Sequence, residues 1–389
     1  MVTSRFLQIH TLHSYPAALL NRDDSGLAKR MPFGDAVRTR ISSQCLKRHW
    51  RSAQDVFALS AIAPDAIRSR NVVERQVMDR LQEDGGVSTE VLEAIRDAFN
   101  VGVYGSSGTS EAGRQPLLLG LPEVEYLRKK AAAICNEHAG DAKAAAEAAN
   151  RLFSPRRGEG GNFAAFRDSA TLPGGLVGAL FGRMVTSDPG ANIEAAIHVA
   201  HAFTVHREES ESDYFSVVDD LQRDDEDAGA AHIGDMELTA GLFYGYVVVD
   251  VPGLLSNLEG CSQDDWQKAD KALAAQVVHN LMHLIATVSP GAKLGSTAPY
   301  AYAEFMLVEA GSRQPRSLAN AFRNPSKART DAAVDKLSAY LSSLDNCYGI
   351  KESRRVMSLD ECAIPNAPRV NLDELARWAA DVMRNGEVG

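Results

Sequence analysis

The chain has 389 residues, 45% of them apolar and 24% charged, which excludes a disordered or collagenous polymer and leaves room for two domains or one domain with large insertions. Its formal net charge of -10 excludes a surface that is basic throughout, so a polyanionic partner would have to meet a local groove. The longest apolar runs, such as GGLVGALFG at 174–182, are half the ~18 residues that a membrane-spanning helix requires.

In chain order, residues 5–15 (RFLQIHTLHSY) alternate as a first strand. A charged loop runs to Ile41, and an amphipathic helix follows. Ser42 or Ser43 is its expected N-cap. Leu46, Trp50, Ala53 and Phe57 recur at helical spacing as its buried stripe, with Gln44, Lys47, Arg48 and Arg51 on the other side. Residues 64–150 read mostly as helices (VVERQVMDRLQEDG, STEVLEAIRDAFN and an Ala-rich run, Glu123 to Asn150), broken by the loop GSSGTSEAGRQP at 105–116. A second Gly-rich loop, SPRRGEGGN at 154–162, ends this region. TLPGGLVGALFGRMVT, from Thr171, reads as a strand.

Residues 238–251 (LTAGLFYGYVVVDV) carry the strongest strand pattern in the chain. A long helix capped by Ser262 and stopped by Pro290-Gly291 comes next, then a strand at 301–310 and helices near 330–344 and 371–384. Asn371 and Glu374 have capping-box spacing. With two insertions removed, the order is βαββαβ, an α+β ferredoxin-like plan shared with RNA-recognition-motif domains. The expected layout is a palm at 1–60, a helical finger insertion at 61–170, a palm strand at 171–186, a thumb hairpin insertion at 187–236, and the remaining palm with C-terminal helices at 237–389.

The charge is not evenly spread. Between Asn21 and Arg51 stand eight Lys or Arg (Arg22, Lys29, Arg30, Arg38, Arg40, Lys47, Arg48, Arg51) against Asp23, Asp24 and Asp35, a local net of +5 in an acidic protein. Serines at a helix start one turn before cations suit phosphate groups. The reverse holds from Arg207 to Asp227, where ten acidic and two basic residues surround the pair Tyr214-Phe215. Aromatic side chains in such a setting pack on a partner or a base.

Signals for catalysis are weak. His279 and His283 have the i, i+4 spacing of two ligands to one metal, but Asn280 stands where a zinc protease needs Glu, and both read as ordinary helix histidines. His198, His201 and His206 lack a carboxylate or Cys at ligand spacing and read as structural. Asp23 and Asp24 would suit magnesium-assisted phosphodiester cleavage, though orienting the neighbouring arginine is the favoured reading. The glycines of 173–182 match no nucleotide-binding fingerprint. The five cysteines (Cys45, Cys135, Cys261, Cys347, Cys362) are odd in number and without CxxC spacing, which argues against a disulfide framework and a zinc site. With no apolar leader in MVTSRFLQIHTLHSY, a cytoplasmic protein is expected. No cofactor, no metal and no membrane partner are expected.

The blocks QIHTLHSYPAALLNRDD, RISSQCLKRHWR, GRMVTS, VDDLQ, AAHIGDMELTAGLFYGY and SPGAKLGSTAPY occur in this order along the chain. Through them the sequence resembles the CasC-type backbone subunits, of the seventh Cas family, in the type I-E CRISPR Cascade surveillance complex. The resemblance implies a non-catalytic scaffold whose copies stack head to tail along the CRISPR guide RNA. It implies a hand-like subunit: a palm that cradles the guide backbone, a helical finger, and a thumb that flips a nucleotide at intervals. Its implied partners are guide RNA, target DNA through guide pairing, other copies of itself and the other Cascade subunits. By motif it assigns guide RNA contacts to Asn21, Arg22, Ser42, Ser43, Gln44, Lys47, Arg48 and Arg51, with Arg183 and Met184 at the base of the thumb and Tyr214, Phe215 and Ser216 on it. Tyr214 stands where relatives often carry Trp. The finger does not align, so Arg128, Lys129, Lys130, Arg156 and Arg157 are only compositional candidates for DNA contact. The alternative reading is a metal-dependent ribonuclease subunit that uses Asp23 and Asp24.

Overall fold

A computed structural model describes residues 4–153, 174–185, 189–217 and 232–386. The chain forms two compact units. The first comprises Met1–Ala58, His198–Val249 and Ala275–Gly389; the second comprises Leu59–Ile197 and Asp250–Ala274. Together they make an α+β protein.

The first unit is organised by an antiparallel-rich sheet. Strand Phe6–Ala18 pairs with Ala303–Gly311, which pairs in turn with Ser353–Ser358, both antiparallel. On its other side Phe6–Ala18 neighbours His232–Asp250, followed across the sheet by Ala202–Thr204, Ala36–Ile41 and Arg30–Phe33. The four strands of the expected βαββαβ plan therefore stand in the order fourth, first, third, second. The helices Ser43–Arg51 and Ala272–Thr287 fall after the first and third strands in sequence.

Period-two alternation divides this sheet into two apolar faces. Leu12, Leu242, Tyr244, Phe305, Leu307 and Val356 pack on one face with Phe322, Val334 and Leu337. Tyr15, Ile41, Ala202 and Phe243 pack on the other with Leu46. A fully buried Leu, Ile, Val or Phe among these contributes about 1.5–3 kcal/mol.

The second unit is mainly helical. Helices Thr89–Tyr104, Leu121–Glu137 and Ala142–Phe153 share one core built on Val73, Val77, Ile95, Phe99, Val103, Leu119, Leu127 and Ala131. The segment Val73–Met78 is a π-helical turn leading into helix Asp79–Asp84. A short antiparallel strand pair, Ala66–Ser69 with Leu117–Gly120, accompanies it. The 105–116 loop contains two 3-10 turns, Gly105–Thr109 and Glu111–Gly113.

Several expectations are corrected here. GGLVGALFG is not a strand: Gly175–Phe181 is a helix of the second unit, and Ala202–Thr204 is the second strand of the plan. Gly175 through Leu180 are all buried. A segment apolar on every side has no periodicity to separate helix from strand. Gly175 and Gly182, at φ +62° and +78°, bound it in conformations that residues with a Cβ rarely adopt.

The first helix stops at Arg51, short of Phe57. The Ser52 N–H closes on the Arg48 carbonyl, and Asp55 turns the chain by accepting from the Phe57 N–H. The helix expected from Ser262 begins at Ala272, after a 3-10 turn at Trp266–Lys268. Residues 250–274, expected in the palm, belong to the second unit, as do 189–197, expected in the thumb. The loop 154–162 with Arg156 and Arg157, the start of the expected 171–186 strand and the acidic run Asp219 to Asp227 lie outside the described residues.

Candidate nucleic-acid interface

The helix Ser43–Arg51 is fixed at both ends by its own chemistry. Ser42, in extended backbone, accepts the Cys45 N–H at 3.3 Å through Oγ, as an N-cap does. Arg48, His49 and Arg51 occupy the last turn, where the helix dipole favours cations. Trp50, 3% exposed, anchors the inner face. The first turn carries no acidic residue, so its amide end has no anion of its own.

Asn21 buckles the preceding loop onto this helix start. Its Oδ1 accepts the Ser42 N–H at 2.9 Å, and its carbonyl accepts the Lys29 N–H at 2.9 Å. Arg22 pairs by a backbone bridge with Ala28 and is exposed. Gln44 and Arg48 are exposed, while Ser42, Ser43, Lys47 and Arg51 are half-buried. Burial lowers the Lys47 ammonium pKa, a cost that a nearby anion would relieve.

The same patch contains a pair that sequence reading missed. Arg40 donates to the Arg30 carbonyl and bonds the His201 Nδ1 at 2.9 Å. Burial and then the charges of Arg40 and Lys29 lower the His201 pKa, a local sign of positive potential. Only long-range pairing of Arg40 with Phe203 brings these residues together, so no local signal announced it.

Two cations of the basic segment are withdrawn from it. Arg38 is fully buried and donates to the carbonyls of Thr204, His206 and Phe322 at 3.0, 3.1 and 2.8 Å. Arg30 is paired with Glu208 and Glu237. The surface charge is therefore lower than the composition implied. Asp23 is also committed: its Oδ1 accepts the N–H groups of Ser25 and Leu27, forming an Asx turn rather than orienting Arg22.

Strand Glu209–Val217 forms a hairpin arm along His232–Asp250. Tyr214, 65% exposed, and Ser216 alternate onto one face, and Phe215 takes the other, over Gly234. A Cβ on Gly234 would lie 2.5 Å from the Phe215 ring, so the glycine makes room for it. His206, by contrast, is structural: its buried Nε2 accepts the Leu242 N–H.

Arg183 and Met184 lie in the second unit, and the first of them is a correction. Arg183 is 5% exposed, and its guanidinium donates to both oxygens of fully buried Glu123 at 2.7 Å and to the Ala191 carbonyl. A group spent in this way has no face for a phosphate. Its backbone bridges Ile193, and the adjacent Met184 is 76% exposed. Arg183 is thus the anchor and Met184 the side chain presented.

Over residues 7–381 the chain matches the Cas family described as CT1975-like protein. The chain belongs to that family. No curated protein matches it. Among solved structures, this CT1975-like protein is similar to a chain of a CRISPR RNA-guided surveillance complex, pre-nicking, with TM-score 0.76 and 24% identity over 96% of this chain and 100% of that one. A chain of another CRISPR RNA-guided surveillance complex matches with TM-score 0.55 and 20% identity over 95% and 98%. At these identities the likeness concerns the fold. The membership agrees with the resemblance read from the sequence blocks.

Proposed function

We propose that this CT1975-like protein is a non-catalytic scaffold subunit that binds CRISPR guide RNA in a type I-E Cascade surveillance complex, in the cytoplasm. The observation that carries the reading is the helix start at Ser42–Gln44. It is acid-free, buckled to the loop by Asn21 and flanked by Arg22, Lys47 and Arg48. Amides, hydroxyls and cations so arranged hold phosphates without reading bases. A scaffold that must accept any guide needs that property, because sequence recognition is left to pairing between guide and target DNA. The four-stranded order of the palm is compatible with an RNA-recognition-motif-like platform. The hairpin bearing Tyr214 supplies an exposed ring for stacking on a displaced base. Copies joined head to tail make a heterologous interface, which builds an open filament along the guide.

The test is a salt titration of single-stranded RNA binding by the full chain, with complex mass read on RNAs of increasing length. The expected result is sequence-indifferent binding whose mass grows stepwise with length. Arg22→Ala and Arg48→Ala are each expected to lower the logarithmic salt slope by about 0.7, one phosphate's share on a single strand. An unchanged slope in both variants rejects this patch as the guide cradle. Tyr214→Ala should leave the thermal midpoint unmoved, since the ring is exposed, and weaken RNA binding by about 1–3 kcal/mol. Equal binding by wild type and Tyr214→Ala would remove the hairpin from the interface.

A further inference from the structure

The helix Ala272–Thr287 carries His279 and His283 one turn apart, and the C-terminal helix Leu372–Asn385 carries Asp373 in its first turn. One ligand atom from each of these three residues lies within 4.8 Å of the others. His283 is 6% exposed, its ring stacks on Phe57 at 3.7 Å, and among the described residues its Nε2 has no hydrogen-bond partner. A buried imidazole nitrogen left unpaired is costly and calls for an explanation.

The neighbouring imidazole sharpens the case. Asn280 Nδ2 donates to the Phe57 carbonyl at 3.1 Å, which orients the amide and leaves Asn280 Oδ1 facing His279 Nδ1 at 3.3 Å. That oxygen only accepts, so Nδ1 carries the proton. His279 Nε2 lies 4.0 Å from Asp373 Oδ1, so the other ring nitrogen faces the carboxylate. Two imidazoles and a carboxylate thus converge, and one of the imidazoles keeps a buried nitrogen without a hydrogen-bond partner among the described residues.

We propose that His279, His283 and Asp373 bind one divalent transition-metal ion of the zinc class, which ties helix Ala272–Thr287 to the C-terminal helix. Two imidazoles and a carboxylate are a borderline donor set suited to zinc, with a solvent molecule as fourth ligand. A tetrahedral site with bonds of about 2.0–2.1 Å sets its ligand atoms about 3.3 Å apart, so atoms that now lie within 4.8 Å of one another must close. Rotation of the exposed Asp373 side chain and the part-exposed His279 side chain provides this, with His283 as the fixed base. Asn280 serves as the outer acceptor that holds His279 in the ligating tautomer. The Asn371–Glu374 capping box holds the start of the Asp373 helix. Arg377 bonds Asp373 Oδ2 at 2.5 Å and leaves Oδ1 for the ion. The sequence analysis took the two histidines as ordinary because Asn280 stands where a zinc protease needs Glu, and Asp373, on a distant helix, gives no local signal.

The experiment is calorimetric titration of the chelator-treated full chain with zinc chloride near neutral pH, alongside thermal melts with and without zinc. The expected result is saturable binding of one ion per chain and a raised melting midpoint. His279→Gln and Asp373→Asn alter partly or largely exposed side chains and should each weaken binding by at least about tenfold, abolishing the zinc-dependent shift. A cobalt-substituted sample should lack a thiolate charge-transfer band, separating this site from the five cysteines. Absence of saturable binding, or equal binding by both variants, overturns the proposal. Neither result bears on the RNA reading, which uses other residues.

Discussion

Glu309→Ala is expected to destabilise the protein by about 3–5 kcal/mol, read as a lowered urea midpoint, because it strips the partner from a buried cation. Glu309 is fully buried on strand Ala303–Gly311. It accepts from Arg354 Nε at 2.8 Å and from two nitrogens of Arg316 at 3.0 and 2.7 Å, with His10 Nε2 at 3.2 Å. Arg354, 1% exposed, extends the network to Asp345 at 2.5 and 2.7 Å. Burial lowers the His10 pKa, and His10 and Arg316 are the partners that favour the ionised Glu309 carboxylate. Burial pushes the Glu309 carboxyl up, but its hydrogen-bond and charge partners outweigh this and hold it well below the usual carboxylate range.

The pH dependence follows from that direction. A carboxyl depressed in the folded state contributes stability that is fully present above its unfolded pKa, about 4.3, and is lost as pH falls towards the folded value. The urea midpoints of wild type and Glu309→Gln should therefore differ at neutral pH, and the difference should begin to narrow below about pH 4 and keep narrowing on further acidification. A constant difference across that window would mean that the carboxylate charge is not what stabilises the network.

The second large effect is expected at Arg183. Arg183→Ala leaves Glu123 fully buried without its guanidinium and should cost about 3–5 kcal/mol at neutral pH. Burial already raises the Glu123 carboxyl pKa, with Arg183 pulling it back. Without the arginine it rises further. A group with a raised folded pKa binds more protons when folded, so the variant's deficit grows as pH rises above the unfolded value and shrinks on acidification. Denaturant midpoints at neutral pH and near pH 5 measure this.

The double variant Arg183→Met/Glu123→Gln removes both charges and should recover part of the loss. It also separates two roles for Arg183. A buried anchor predicts that the RNA salt slope of the double variant equals that of wild type. A slope lower by about 0.7 would return Arg183 to the guide RNA contacts at the base of the thumb that the family resemblance implied.

The elements legible in the sequence are those whose cause is local. Ser42 caps the basic helix, Asn371 and Glu374 cap the last helix, and the alternation of LTAGLFYGYVVVDV produces the long strand. Each depends on neighbours within a turn or on a period of two. GGLVGALFG failed because it is apolar on every side, and the second strand of the βαββαβ order, Ala202–Thr204, is three residues long with little pattern to read. The first helix was read too long because the turn made by Asp55 competes with helical periodicity at Phe57.

Of the candidate interface, the sequence determined which residue types sit together at the helix start and which family the chain belongs to. It did not determine which charges face water. Arg22 and Arg48 stay outside, whereas Arg38 is consumed by three carbonyls, Arg30 by Glu208 and Glu237, and Arg183 by Glu123. Composition counts a cation wherever it occurs, but its availability depends on burial and pairing, and those partners lie far along the chain. The same reason hid Asp373 from His279 and His283: the helix period shows two ligands, and only the packing of a second helix brings the third.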